Sequence, residues 1–265
     1  MMFIVNGLQS LSFTQCTIIV PVVLALLVFI LPWIRKACGI ELSTETCDSA
    51  NEGFGAIALF FVFIAASSLG TVQGFQKDGQ KVTEVEIAHI TNLDRELVHV
   101  GGEKSEKARV ELKNYLGAII EKEWKTMEHG LPSADVDQSL GKIISIVNHM
   151  EPEGKITEKS IEAISNRLEQ VSDSRDERIS VSNLHLSFIY WDIIFCFIGM
   201  LLVISFFYHS TVPKRIGLSA KMIALAFTLV LLVQTDGVFA GDISIKPTLY
   251  AGALAKMKVR TADTN

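Results

Sequence analysis

The chain is short of basic charge and of cysteine, and it lacks every common catalytic signature. Its 24 Lys and Arg are outnumbered by 29 Asp and Glu, a formal net charge of -5. That excludes a nucleic-acid binder working through a basic face. Its four cysteines and six histidines fall at no spacing that suits a zinc site. P-loop, nucleophile elbow and HExxH are all missing, so no catalytic residue, metal or cofactor is expected and the chain does not read as an enzyme. DVDQSLG from Asp135 starts like a calcium loop, but its glycine comes one place late at Gly141 and Ile146 stands where the closing acid belongs. Strand-like alternation is absent as well. The first fifteen residues carry no Lys or Arg, which argues against a cleaved signal peptide.

What is there is apolar and unevenly placed. A hydrophobic content of 49% would suit a globular chain, but the apolar residues gather towards both ends. Residues 76–185 hold 15 of the basic and 21 of the acidic residues. A bilayer core needs roughly 20 mostly apolar residues per helix, and four stretches qualify. The first, about 16–34, ends at Arg35 and Lys36, with Pro21 and Pro32 near its ends, where a missing amide donor costs least. The second, 53–75, is uncharged and rich in Gly, Ala and Ser, which permit close helix approach in lipid. The third, 186–208, carries Tyr190 and Trp191 at one end and Phe206, Phe207 and Tyr208 at the other, as interfacial belts require. The fourth, about 218–235, is the weakest; its apolar run starts after Lys221 and stops at Gln234, Thr235 and Asp236.

Four spans put both termini and the central segment on one side. That side carries Lys77, Lys81, Arg175, Arg178, Lys246, Lys256, Lys258 and Arg260, against Arg35, Lys36, Lys214 and Arg215 on the other. The positive-inside rule then makes both termini and the central domain cytoplasmic. Cys38 and Cys47 fall in the loop between spans one and two, in the oxidising compartment, where a disulfide or two free thiols both fit. Cys16 and Cys196 read as ordinary buried residues.

Residues 76–185 change to the period of soluble amphipathic helices. Val82, Val85, Ile90, Leu93 and Leu97 mark one helix, ended by Gly101 and Gly102. Val110, Leu112, Tyr115, Leu116, Ile119, Ile120 and Met127 mark a second, ended near Gly130 and Pro132. Val136, Leu140, Ile143, Ile144, Val147 and Met150 mark a third, closed by Pro152 and Gly154. Ile156, Ile161, Ile164, Leu168 and Val171 mark a fourth. The pattern predicts that the first continues span two and the last feeds span three. The fold class is therefore an all-α integral membrane protein with four transmembrane helices and a helical cytosolic domain between spans two and three. Its divisions are a transmembrane pair (1–75), the cytosolic domain (76–185), a second transmembrane pair (186–250) and a C-terminal tail (251–265).

The order of motifs resembles the bacterial bestrophin-like family of unknown function, the group catalogued as DUF4239. After two spans come EVEIAHITNLDREL from Glu84, YLGAIIEKEW from Tyr115 and DSRDERI from Asp173, then two closing spans. The family's acid and Arg after span two are matched by Glu86 and Arg95, and its Tyr and Glu-Trp by Tyr115, Glu123 and Trp124. Its paired arginines are matched by Arg175 and Arg178, its span-three Trp by Trp191, and its closing series by Asp236, Phe239, Gly241 and Pro247. One departure is that Gly237 and Val238 stand where the family usually carries Arg-Pro. The resemblance implies an oligomeric channel fold with four spans and a large helical cytosolic part.

Each candidate residue carries a plain reading beside a functional one. Asp192 lies about six residues into span three, as an ion-pathway carboxylate or an interfacial one, because a charge deeper in lipid is costly. Gln234 and Asp236 close span four, where they can cap broken backbone or coordinate a cation. Phe60, Phe61 and Phe63 form a hydrophobic constriction if span two lines a pore, and otherwise meet lipid. Arg95, Arg175 and Arg178 pair with Glu86, Glu123 or Asp176, or else hold an anion or phospholipid. The expected function is a homo-oligomeric, bestrophin-like ion channel in the bacterial inner membrane, with lipid, further copies of itself and ions as partners. An acidic vestibule would favour cations there. The alternative is a non-conducting structural or signalling protein whose cytosolic helices bind a partner.

Overall fold

The computed structural model describes residues 2–9, 11–152, 156–208 and 211–262, and among these every regular element is helical. Gly154, expected to help close a helix, lies outside the described residues. The chain forms two compact units.

The first unit comprises Met1–Gly74, His185–Asp236 and Gly241–Ile243. It holds α1 (Met2–Gln9), α2 (Phe13–Ala37), the start of α3 (Thr44–Val100), α8 (Phe188–Phe206) and α9 (Val212–Thr235). The last four are long and apolar enough to cross a membrane. Ser12 and Gln15 cap α2 reciprocally, satisfying amide donors that the helix leaves open. Pro21 and Pro32 lie inside α2 without ending it. α2 and α9 run antiparallel, with Ser219 Oγ donating to the Ala25 carbonyl at 3.2 Å and Arg215 Nη1 to the Phe29 carbonyl at 3.5 Å. Val28, Phe54, Phe61, Ile194, Leu201 and Met222 fill the interior. Leu26, Phe60, Phe63, Phe188 and Val203 face outward, a surface that suits hydrocarbon rather than water. In α9, 44% of the apolar window is buried, against 22% in each of the other three; its neighbours shield the span whose ends are polar. α1 was not foreseen. Gln9 at its end donates to the Val233 and Asp236 carbonyls at 3.3 and 2.5 Å, satisfying acceptors that α9 leaves open at its C-terminus.

The second unit comprises Phe75–Leu184, Gly237–Ala240 and Ser244–Asn265. The remainder of α3 ends where Gly101 and Gly102 take φ of 66° and 85°, conformations that glycine adopts without steric cost. Then come α4 (Glu103–Ala118), a π turn (Ile119–Glu123), α5 (Trp124–Thr126) and a 3-10 turn (Met127–His129), α6 (Ala134–Asn148), α7 (Glu158–Ser182) and α10 (Thr248–Ala262). Ile90, Leu93, Leu97, Leu112, Leu116, Ile143, Val147, Leu168 and Val171 form the core, joined by Val238, Phe239, Tyr250 and Met257 from beyond α9.

Several boundaries differ from expectation. α3 begins at Thr44, ahead of the expected span start at 53, and runs unbroken to Val100. α9 starts at Val212 rather than 218, with Pro213 in its first turn, where its fixed φ suits a helix start. α7 does not feed α8 as one rod. It stops at Ser182, and Asn183 Nδ2 donates to the Ile179 and Gly130 carbonyls at 3.0 and 3.3 Å. Ser187 then stands at the N-cap of α8. Polar capping residues end a helix as well as Gly or Pro does. The expected tail 251–265 is corrected too, since 248–262 form α10, with Met257 buried in the core of the second unit.

Candidate functional site

The second unit encloses a charged cluster. Glu86 of α3 stands in register with Val82, Ile90 and Leu93, all buried, so the helical period forces its carboxylate into the core. Glu123 enters from the end of the π turn, and Arg175 and Arg178 from one face of α7. Arg178 Nε donates to Glu86 Oε2 at 2.5 Å and its Nη2 to Glu123 Oε1 at 2.7 Å. Arg175 Nη2 donates to Glu123 Oε2 at 2.6 Å and its Nη1 to Asp137 at 2.6 Å. Tyr250 and Tyr115 hydroxyls donate to Glu86 at 2.6 and 3.1 Å, and the Ser133 amide donates to Glu123 at 3.1 Å. Arg178 also contacts Met127 Sδ and lies over the Trp124 and Tyr250 rings at 5.8 and 5.5 Å.

Glu86, Glu123, Arg178, Tyr115 and Tyr250 are fully buried. Two carboxylates and two guanidinium groups balance, as burial of charge requires. Burial pushes the Glu123 carboxyl up, but Arg175 and Arg178 outweigh it and hold Glu123 below its usual range. Burial, reinforced by the Glu86 charge, raises both tyrosines well above their ordinary value. Both arginines stay charged. The arginines spend most of their donors on carboxylates, and the Tyr115 and Tyr250 hydroxyls donate to Glu86. Its chemistry is that of a lock joining α3, α4, the π turn, α7 and α10.

A second cluster sits alongside in the same unit. Buried Asp94 accepts from Arg109 Nε at 3.0 Å and Arg260 Nη1 at 2.9 Å, and Arg109 Nη1 reaches Glu106 at 3.0 Å. Sequence reasoning missed Asp94, Arg109, Tyr250 and Arg260. The signal was present in part, because Asp94 neighbours core Leu93, and Arg109 shares a helical face with Leu112 and Leu116. Arg95 and Asp176, expected in the pairing, are exposed and outside it. The calcium-loop resemblance also resolves. Asp135 and Asp137 lie in the first turn of α6 and pair with Lys122 and Arg175 at 2.9 and 2.6 Å.

In the first unit, Asp236 caps the end of α9. Its Oδ1 accepts from the Leu186 amide at 2.7 Å and its Oδ2 from Trp191 Nε1 at 3.0 Å. Gln234 Nε2 donates to the Leu8 carbonyl at 3.0 Å. Both act on protein groups. Asp192 is exposed in the second turn of α8. The phenylalanines do not form one set: Phe61 is 1% exposed within the core, whereas Phe60 and Phe63 are 61% and 70% exposed. A helical step of about 100° separates neighbours, so a run of adjacent residues cannot share a face. Cys38 is exposed, Cys47 buried, and both are free thiols, the second of the two readings the sequence left open.

A family model described as Bestrophin-like domain matches residues 21–250. The chain belongs to the Bestrophin-like family. Crystal structures of a bacterial bestrophin homologue from Klebsiella pneumoniae share the fold of this bestrophin-like chain. A mutant of that homologue is 10% identical, with a TM-score of 0.68 over 92% of this chain and 98% of its own. A second structure is 11% identical at 0.67, covering 91% and 97%, and another mutant is 12% identical at 0.67, covering 95% and 99%. No curated relative matches the sequence.

Proposed function

We propose that this bestrophin-like membrane protein assembles with copies of itself into an ion channel of the bacterial inner membrane, with the exposed face of α3 lining the axis. One observation carries the reading. Phe54, Phe61, Ala65, Ser68 and Val72 pack into the first unit, while Ala56, Leu59, Phe63, Ala66, Gly70 and Gln73 lie exposed at alternating steps of three and four residues. That stripe is the seam by which helices meet around an axis, and α3 leaves it exposed among the described residues. Leu59 and Phe63, one turn apart, form the narrowest ring in such an assembly and gate by dewetting. Small Ala66 and Gly70, with Thr71 and Gln73 nearby, make the remainder wider and wettable. Both termini and residues 76–185 are cytoplasmic on the charge distribution described above.

The test is ion flux into liposomes carrying the purified protein, alongside its oligomer mass. Flux from an oligomer, increased severalfold by Phe63→Ala, supports the reading. A folded monomer without flux overturns it. A folded oligomer without flux favours the partner-binding alternative instead.

A further inference from the structure

At one end of the first unit a basic cluster meets an apolar groove. Arg35, in the last turn of α2, is only 5% exposed. Its Nε and Nη1 are buried and have no acceptor among the described residues, and the same holds for Nε of Arg215. Arg215 projects from the first turns of α9, stacked on the Phe29 ring at 4.6 Å. Lys36 and Lys214 are exposed beside them in sequence. The antiparallel pairing of α2 and α9, fixed by Ser219 on Ala25 and Arg215 on Phe29, brings these four cations to the same end of the helix pair. Among the described residues, Lys214 pairs with Asp48 at 3.9 Å.

Next to them a groove of about 500 Å³ runs between α2 and α8, lined by Leu27, Leu31, Leu202, Val203, Phe206 and Phe207. Leu27, Leu31 and Arg35 succeed one another at steps of four, so the groove wall and the guanidinium lie on one ridge of α2. A buried guanidinium without acceptors is strongly unfavourable. What satisfies both features at once is a molecule with an anionic, oxygen-rich head and an apolar tail. A phosphate diester presents acceptors to a planar guanidinium fork, and an acyl chain fills a wall of Leu, Val and Phe.

We propose that this end of the unit binds one anionic glycerophospholipid per chain, with its phosphate on Arg35, supported by Arg215, and an acyl chain in the groove. The site needs the four helices to be membrane-embedded and does not depend on ion conduction.

The full-length protein, delipidated in neutral detergent, is offered phosphatidylglycerol, phosphatidylcholine or inorganic phosphate. Retention is read by native mass spectrometry, and stability by melting temperature. One phosphatidylglycerol per chain is retained, about tenfold tighter than phosphatidylcholine, and inorganic phosphate neither stabilises the protein nor displaces the lipid. Arg35→Gln removes the preference. Its melting temperature without lipid is no lower than that of the unaltered protein, because an uncompensated charge has gone. Leu31→Trp fills the groove and weakens retention of both lipids while leaving all four cations in place. It serves as the independent variant should Arg35→Gln fail to fold. Equal retention of the two lipids overturns the proposal, as does retention of phosphatidylglycerol that Leu31→Trp leaves unchanged. Stabilisation by inorganic phosphate alone points to a free anion and overturns the lipid. A groove occupied by a second copy, read as an oligomer that Leu31→Trp dissociates with no lipid retained, overturns it as well.

Discussion

Arg178 is the residue on which the buried lock of the second unit turns. It reaches both carboxylates, and replacing it with Ala leaves Glu86 buried beside two tyrosine hydroxyls and without its cation. Breaking a buried pair on one side costs about 3–5 kcal/mol. Arg178→Ala is therefore expected to lower stability by that amount in chemical denaturation of the solubilised protein, and a loss below about 1 kcal/mol would show that the helices are held elsewhere. Arg178→Lys does not rescue, because one ammonium cannot reproduce the fork spanning two acids. The pH dependence follows from the same atoms. Glu123 is held below its usual range in the folded chain, so its contribution is present above the unfolded value and is lost as pH falls through the lowered one. Tyr115 and Tyr250 are held above theirs, so the folded state loses ground once unfolded tyrosine ionises, above about pH 10. Melting temperature plotted against pH should fall at both extremes, and Tyr250→Phe should soften only the alkaline fall. Sequence reasoning reached Glu86, Glu123, Arg175 and Arg178 because the family motif marks them. It chose Arg95 over Asp94 because motif matching carries no information about which side of the helix faces inward. The core period set by Leu93 and Leu97 does carry it.

α3 shows what a helix can do with two faces. Phe61 and Phe63 are two residues apart and point to opposite surroundings, so their truncations should differ in kind. Phe61→Ala opens a cavity and is expected to cost about 3–5 kcal/mol, read as a lower melting temperature, with flux falling only as folded protein is lost. Phe63→Ala leaves the melting temperature nearly unchanged and raises flux per folded oligomer. Equal melting behaviour in the two variants would contradict the packing described for this face. Further along, Gly79 lies where the chain after α9 crosses α3. A Cβ there would overlap Val238 and stand 2.8 Å from Ile245 Cδ1, and Val238, being β-branched, has little rotamer freedom to move aside. Gly79→Ala is expected to destabilise by about 1–3 kcal/mol through overpacking. The helices themselves were legible from periodicity, and the ends marked by glycine were too. The break between α7 and α8 was not, because Asn183 ends α7 with a side-chain hydrogen bond to the Gly130 carbonyl, a partner distant in sequence. The role of Tyr250 and Met257 was hidden for the same reason, since a short amphipathic helix after the last span has no local mark of where it packs.

For the molecule as a whole, orientation in the bilayer is the property that charge most directly controls. The positive-inside bias acts on the chain as it inserts, before Arg175 and Arg178 close on their carboxylates, so their later burial does not remove them from the count. Arg35, Lys36, Lys214 and Arg215 oppose the bias, and Arg35 ends up buried rather than hydrated. The balance favours cytoplasmic termini. The cysteines supply the check, because all four are free and only Cys38 is both exposed and outside the span helices. Cys16 and Cys47 are buried, and Cys196 sits within α8, where a membrane-impermeant reagent does not reach. In spheroplasts such a maleimide should label the protein at one position, abolished by Cys38→Ser, while a tag on the C-terminus stays protected until the membrane is opened. Labelling of Cys38 only in inverted vesicles would reverse the orientation. It would also move the basic end of α2 and α9, and the lipid site proposed there, to the cytoplasmic leaflet.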